Sequence, residues 1–521
     1  MKLAPRTFRI EWELHAWAGV VASLLLFVMF FCGLFALFHD ELSLWQEPAQ
    51  RSGRAEPPSF GQLLAALERE APLARGASVS YAVQPGMRFA SLAVTAPGAT
   101  TGRAHVLDVD SLRPSEPQSH LADELLELHY LEQLPLGGEL AGLLAVGLLV
   151  SVISGFLIHL KDLRRQWLQL RPRLPMRFVA SDVHKLIGVF AIPFMLVLGW
   201  SGSLLCLGEL TLAGVAHGAL DGDEKRTEEL HYGPTFERAA SGKRAHTLAV
   251  DPLVARAVEL SGQQQPASYL ELHNVYDQHA WLAVFFPSEE LGSYPFVFLD
   301  AVTGRVLQRS LDAPVTPAAA FDGVLHGLHF AQFGGFWLKL LYAAFALGTC
   351  VVLISGNLVW LERRDPCRER PGSRLLERAT VALPGGLVAA TGMYFLANRA
   401  LPATLDARAE LEFVLFASAW AVFAALGLLL QATLARRSFA LACLATSLFA
   451  LTLVLDLAVQ RNGLARGHEV LPALWQVQVV LALLTAACAG LALLCRPRTH
   501  GSAARSLPSR AEGAHQQPLE L

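Results

Sequence analysis

Apolar runs of about twenty residues alternate with polar stretches along this chain, and that alternation sets its architecture. A run of this length spans the ~30 Å hydrocarbon core of a bilayer as a helix. Eight runs qualify: Trp17–Phe38, Gly138–Leu160, His184–Leu207, Trp337–Leu361, Ala379–Asn398, Leu411–Leu434, Phe439–Val459 and Pro472–Leu494. Long polar loops separate the first four, and short ones the last four. Each long loop holds a helical stretch, then strand-like segments, then a chain-reversing turn. In the second loop the strands Trp281–Phe286 and Phe296–Leu299 lead into Asp300-Ala-Val-Thr-Gly304. In the first, Phe89–Val94 and His105–Val109 lead to Asp110-Ser-Leu-Arg-Pro114. The pattern predicts an all-α transmembrane bundle of about eight spans. Two α+β domains are inserted, between spans 1 and 2 and between spans 3 and 4.

Composition supports a membrane protein, because 53% of the 521 residues are apolar. A net charge of −3 without a basic patch argues against a nucleic-acid partner. Orientation follows from the basic residues beside the spans. Lys2, Arg6 and Arg9 precede the first span; Lys161, Arg164, Arg165, Arg171, Arg173 and Arg177 follow the second; Arg363, Arg364, Arg368, Arg370, Arg374 and Arg378 follow the fourth. Arg436, Arg437, Arg496 and Arg498 continue the series. All fall on one side if every span crosses. The expected location is a bacterial inner membrane, with both termini cytoplasmic and the large loops periplasmic. The first span reads as an uncleaved anchor, since Glu11 and Glu13 lie in its leader and no small-x-small cleavage site follows. The domain expectation is a first helix at 1–39, an outer domain at 40–137, helices 2 and 3 at 138–207 and a second outer domain at 208–336. Helix 4 at 337–361, a cytoplasmic connection at 362–378, a four-helix extension at 379–495 and a tail at 496–521 complete it. Seven cysteines avoid both outer domains and form no CxxC, so neither a disulfide framework nor a cysteine metal cluster is expected.

An internal repeat locates the chemistry. The first span reads His15-Ala-Trp-Ala-Gly19 and reaches Cys32-Gly33; the third reads His184-Lys-Leu-Ile-Gly188 and reaches Ser201-Gly202. Before the second span, Leu128-His129-Tyr130 precedes Gly137-Gly138 and later Ser154-Gly155. Before the fourth, Leu328-His329-Phe330 precedes Gly334-Gly335 and later Ser355-Gly356, with His326 as a competitor to His329. The unit of helix, outer domain and helix therefore occurs twice. His15 and His184 fall near the cytoplasmic face, at the depth of Gly155 and Gly356. His129 and either His326 or His329 fall near the outer face, at the depth of Gly33 and Gly202. Two histidines facing one another across a pseudo-two-fold bundle suit a bis-imidazole haem. The nearby glycines would leave wall space for its flat ring. His159, one turn beyond Gly155, is an alternative to His15. A histidine at a helix end is more often interfacial, and a small-residue pair more often close packing; the repetition in register is what lifts these above that reading.

At these residues the chain resembles the PepSY-associated transmembrane family, which includes iron-regulated inner-membrane proteins and ferric-siderophore reductases. The likeness rests on His15…Cys32-Gly33, Leu128-His129…Ser154-Gly155, Asp182-Val-His184…Ser201-Gly202, Leu328-His329-Phe330…Gly334-Gly335 and Ser355-Gly356-Asn357. The turn Phe298-Leu-Asp300-Ala-Val-Thr-Gly304 resembles the end of a PepSY domain, and the resemblance runs from about residue 8 to 365. It implies a four-helix core holding two haem b groups, PepSY-like outer domains, and outward electron flow that reduces iron(III) in a siderophore or other chelate. The extension at 379–495 departs from many members of the family.

Neither a dinucleotide-binding GxGxxG unit nor a flavin-like domain is evident, so electrons would come from membrane quinol or a separate reductase. Two other readings compete: a haem-free membrane protein that regulates or assembles a partner, and a transporter. Asp456, an acidic residue within the seventh span, is a pointer toward transport.

Overall fold

The computed structural model describes residues 4–47, 58–83, 89–99, 101–160, 170–171, 176–232, 236, 238–287, 290–292, 295–312, 316–331, 333–364, 370–465 and 474–497. Among the basic residues used for orientation, Lys2, Lys161, Arg164, Arg165, Arg173, Arg368 and Arg498 lie outside these.

The described chain is mostly helical, and eight of its helices are long and apolar enough to cross a membrane. The first four are α1 (Pro5–Ala36), α5 (Gly137–His159), α6 (Met176–Ala219) and α10 (Gly335–Arg363). Four more follow: α11 (Pro371–Ala400), α12 (Arg408–Leu429), α13 (Leu434–Ala465) and α14 (Leu474–Cys495). This is a multi-pass membrane protein. Helix α1 packs on α5, α5 on α6, α6 on α10 and α10 back on α1, so the two repeats close a four-helix ring. At 44 residues, α6 is much longer than the predicted span and carries the chain well past the apolar stretch. The last four helices form a second group around α11, which reaches the ring through α1 and α10.

Between the spans lie short helices α2 (His39–Gln46), α3 (Phe60–Glu70), α4 (Leu121–His129), α7 (Glu224–Tyr232), α8 (Val250–Ser261) and α9 (Pro317–Phe330). Strands β1 (Ser78–Ala82), β2 (Phe89–Thr95) and β3 (Arg103–Asp108) come from the first loop. Strands β4 (Tyr269–His273), β5 (Trp281–Phe285), β6 (Phe296–Asp300) and β7 (Val306–Arg309) come from the second.

These strands do not form two separate sheets as the sequence pattern suggested. They make one antiparallel sheet of seven strands in the order β3-β2-β1-β4-β5-β6-β7. The seam is β1 on β4, with Val79 opposite Leu272 and Tyr81 opposite Leu270. Two three- or four-stranded sheets would each expose an additional edge, and fusion removes one from each. Alternation puts Val79, Leu92, Leu272, Leu282 and Leu299 on one face, where they share a buried core with Leu63 and Leu67 of α3 and Leu253 and Ala257 of α8. Asp251 of α8 ties the loops together, accepting from Ser59 Oγ at 2.7 Å and Gly61 N at 2.8 Å.

The two chain-reversing turns are equivalent, but the first is displaced two residues from the sequence alignment. Asp300 Oδ1 accepts from the backbone N–H groups of Val302 and Thr303. In the first loop the same role falls to Asp108, whose Oδ1 accepts from Asp110 and Ser111. Gly304 and Leu112, each four residues on, both take positive φ.

Two features carry the sheet's position to the bundle. The hairpin between β5 and β6 rests on α9, where a Cβ at Gly327 would fall 2.7 Å from Leu291 Cδ1. Between α4 and α5 the chain turns so tightly that a Cβ at Gly137 would fall 1.9 Å from the Leu131 carbonyl oxygen. Only glycine fits there, and the turn fixes the end of α4.

Candidate functional site: two facing histidine pairs

Four histidines line the ring in two pairs. His15 of α1 faces His184 of α6 at the end of the ring that carries the N-terminus, with ring centroids 6.0 Å apart. At the sheet-side end His129, last residue of α4, faces His329 of α9 at 6.1 Å. His326 is not brought to His129 in this way; its ring lies 4.5 Å from that of Phe330. His159 lines the cavity around the first pair together with His15 and His184.

Each imidazole is held through Nδ1. His15 Nδ1 is 2.7 Å from the Ser151 carbonyl, His129 Nδ1 is 2.7 Å from that of Met29, and His184 Nδ1 is 2.9 Å from that of Val352. A carbonyl can only accept, so Nδ1 carries the proton and Nε2 keeps its lone pair. His329 differs, with Nδ1 2.8 Å from Ser201 Oγ. That hydroxyl lies 2.7 Å from the Val197 carbonyl and donates its one proton there. Its oxygen therefore accepts from His329, whose Nε2 is likewise bare.

The glycines explain how the rings reach these positions. A Cβ at Gly155 would lie 2.8 Å from His15 Cε1, at Gly33 2.7 Å from His129 Nδ1, and at Gly356 3.0 Å from His184 Cε1. Gly202 is looser, at 3.5 Å from His329 Cε1. Gly33, Gly155 and Gly356 make room for an imidazole, and Gly155 and Gly356 also line the cavity around the first pair, as expected of a wall position. In three cases the accepting carbonyl sits four residues before the glycine: Ser151 before Gly155, Met29 before Gly33, Val352 before Gly356. The open positions belong to Gly19 and Gly188, four residues after His15 and His184. Both line the cavity, and a Cβ at either would meet nothing closer than 4.0 Å. Their signal was present in the sequence as the His-to-Gly spacing.

That cavity holds about 530 Å³, within the ~300–1,000 Å³ of cofactor-sized sites. Apolar residues such as Leu26, Leu148, Val152 and Met195 form its walls. Lys185, Arg363 and Arg364 stand at its rim, the last two held over Trp12 at 4.1 Å and Trp360 at 4.3 Å. Among the described residues, no group of three or more His, Cys, Asp or Glu gathers to hold a bare metal ion. Each pair instead offers two neutral imidazole nitrogens. A metal held by both imidazoles of a pair, with metal–nitrogen bonds of about 2 Å, would set their centroids about 6 Å apart. The observed separations of 6.0 and 6.1 Å match that distance.

Asp456 is accounted for differently. Its carboxylate meets Arg399 Nε at 2.8 Å and Gln478 Nε2 at 2.9 Å, with both charged side chains fully buried. It is half of an internal ion pair.

A helical membrane bundle with histidines paired across a two-fold repeat, and one sheet built from both long loops, defines the class. Residues 12–363 match the family described as the PepSY-associated TM region, and the chain belongs to that family. It is also 30% identical over 290 residues to the uncharacterized protein PA4219 of Pseudomonas aeruginosa, covering 52% of this chain and 70% of the relative.

Proposed function

We propose that this protein is a di-haem oxidoreductase of the bacterial inner membrane, passing electrons outward to reduce ferric iron in a siderophore or other chelate. The observation that carries the reading is the matched state of the two pairs: four histidines, each protonated at Nδ1 by its hydrogen bond and so with Nε2 unprotonated, in two pairs whose ring centroids lie 6.0 and 6.1 Å apart. His15 and His184 would hold the cytoplasmic-side haem b; His129 and His329 would hold the outer one. Bound haem supplies a one-electron relay. The chain's residues supply orientation, since an Nδ1–H donated to a fixed acceptor sets both the tautomer and the plane of the ring. Gly19 and Gly188 leave room, the apolar walls exclude water, and Lys185, Arg363 and Arg364 suit carboxylate groups at the rim.

The electron balance is simple. Each iron(III) takes one electron to become iron(II), and a membrane quinol giving two electrons would serve two such reductions and release two protons. A separate reductase is the other donor class. Reduction loosens the hold of hard oxygen ligands, which favour the more highly charged ion.

The test is a visible spectrum with haem quantification on purified protein, followed by reduction with a quinol analogue in the presence of a ferric chelate and a ferrous trap. The expected result is two b-type haems per chain, reoxidised as ferrous iron appears. Wild-type protein free of haem after expression with ample haem supply would sink the reading and favour a regulatory or assembly role.

A further inference from the structure

Three of the four histidines follow one rule, donating Nδ1–H to the carbonyl four residues before the glycine they lie against. His329 breaks it. The corresponding carbonyl would be Leu198, yet the partner is the Ser201 hydroxyl at 2.8 Å. The ring also stands farther from its glycine, 3.5 Å against 2.7–3.0 Å for the others. Ser154 occupies the matching position in α5, but among the described residues its hydroxyl bonds to the Val150 and Ser151 carbonyls and to no histidine. Ser355 in α10 lies 3.4 Å from His184 Nδ1, a secondary contact beside the 2.9 Å bond to Val352. Ser201 alone among them is the short partner of a paired histidine.

We infer that Ser201 is the positioning residue for His329 and makes this the one ligand of the four that a single side chain can release. This rests on the di-haem reading above. The physical difference is covalent. A helix carbonyl is fixed by the backbone and cannot be removed by substitution, whereas the Ser201 oxygen is held through one rotatable bond and a donated hydrogen bond to Val197. A hydrogen bond on the far nitrogen orients a metal-binding imidazole and raises its basicity, and losing such a partner costs about 10–100-fold in metal affinity. Without the oxygen, the Nδ1–H of His329 faces the methyl group of an alanine, and the ring loses what fixes its plane. The outer site would then tend toward a single axial ligand, leaving one position open to an added small molecule. The pair at the other end keeps both carbonyl acceptors and stays closed.

The experiment compares wild type with Ser201→Ala, Ser201→Thr and Ser154→Ala, reading haem count, spin state and carbon monoxide binding to the reduced protein. Ser201→Ala should leave one haem six-coordinate and inert while the other becomes partly high-spin and takes carbon monoxide, a rise of at least ten-fold over wild type. Ser201→Thr restores a hydroxyl and should behave as wild type; Ser154→Ala should do the same. The unchanged inner haem reports that the variant is folded. The inference is overturned if Ser201→Ala leaves both haems closed, if both open together, or if the threonine or Ser154 variants open one equally. Haem-free wild type would overturn this inference together with the reading beneath it, whereas haem-replete wild type with a silent Ser201→Ala overturns this inference alone.

Discussion

Gly155 of α5 lies so close to the His15 ring of α1 that a Cβ on the glycine would stand 2.8 Å from Cε1 and 2.9 Å from Nδ1. The same relation joins Gly33 to His129 and Gly356 to His184, while Gly202 keeps ordinary distance from His329. The difference separates two alanine substitutions that the sequence makes look alike. Gly33→Ala should push His129 off the Met29 carbonyl and cost about 1–3 kcal/mol in overpacking, with loss, on the di-haem proposal, of the haem at that pair. Gly202→Ala places its methyl at van der Waals range and should be near silent. Haem stoichiometry and melting temperature, measured together, check this; equal effects at both positions would refute the packing account.

Substituting a ligand should separate the two centres. If the two pairs each hold a haem as proposed, His184→Ala is expected to remove the one shared with His15 and leave the other, because the second pair is built from α4 and α9 and shares no side chain with the first. Pyridine haemochrome quantification should fall from two haems to one per chain. A count that stays at two would move attention to His159, on the wall of the same cavity.

The parts of this structure legible in the sequence are those fixed by local spacing. Twenty-residue apolar runs gave eight helices because length alone matches bilayer thickness, and the His-to-small-residue spacings survive because a helix repeats every 3.6 residues. What was illegible depends on distant partners. Nothing in Ser78–Ala82 says that it pairs with Tyr269–His273, some 190 residues away, so two sheets were expected where one forms. Both strands are five residues long and were not recognised, nor was Val306–Arg309. Ser201 could not be told from Ser154 or Ser355, since all three precede a glycine at the same helical position. Only the ring seated beside each reveals which hydroxyl is used. Arg399, just past a predicted span, gave no sign of being the buried partner of Asp456.

A pH-dependent clamp joins α2 to α4, the helix that ends in His129. His39 Nε2 lies 2.9 Å from Asp123 Oδ1, and its Nδ1 lies 3.6 Å from Asp40. Burial disfavours the charged imidazole, but hydrogen bonds to Asp123 and Asp40 and their charges outweigh it and hold the pKa up at about 9. A histidine raised from its ordinary ~6.5 stabilises fully below that value and loses its contribution as pH rises through the folded pKa. The Asp123 carboxyl is opposed by burial yet held well below the usual carboxylate range by His120 and His39, so its contribution is lost only in strong acid. The clamp should therefore weaken between about pH 6.5 and 9. Both groups are partly solvated, so the effect is expected to stay below about 1 kcal/mol. Melting temperature against pH for wild type and His39→Gln checks it: the gap between the curves should close toward pH 10 and widen toward pH 6.5. Parallel curves would mean that His39 does not titrate in this window.

The C-terminal helices are joined to the ring by a buried polar network, and its removal should be costly in a way that depends on order. Arg399 donates to Asp456 at 2.8 Å and to the Trp45 carbonyl at 2.6 Å, with its guanidinium 3.2 Å from the centre of the Trp45 ring. Beside it, Asn398 donates to the Gln46 carbonyl at 3.1 Å, and Glu412 accepts from Ser119 Oγ at 2.6 Å while pairing with Arg408 at 2.7 Å. These contacts run from α11, α12 and α13 to α2 and to the segment before α4, the elements that frame His129. Among the described residues, Arg399→Met leaves Asp456 buried with its two glutamine neighbours, Gln460 and Gln478, and without its cation. Breaking one side of a buried ion pair costs about 3–5 kcal/mol, whereas replacing both sides with apolar groups is often neutral. The double variant Arg399→Met, Asp456→Leu should therefore recover much of the loss seen in Arg399→Met. The recovery should fall short of complete, because the bond to the Trp45 carbonyl is lost in both. Thermal unfolding in detergent measures both variants against wild type, and, on the di-haem proposal, haem content at the His129 pair reports whether α2 and α4 have shifted. If the single and double variants melt together, Asp456 is not the partner that makes Arg399 matter, and the Trp45 contacts carry the join.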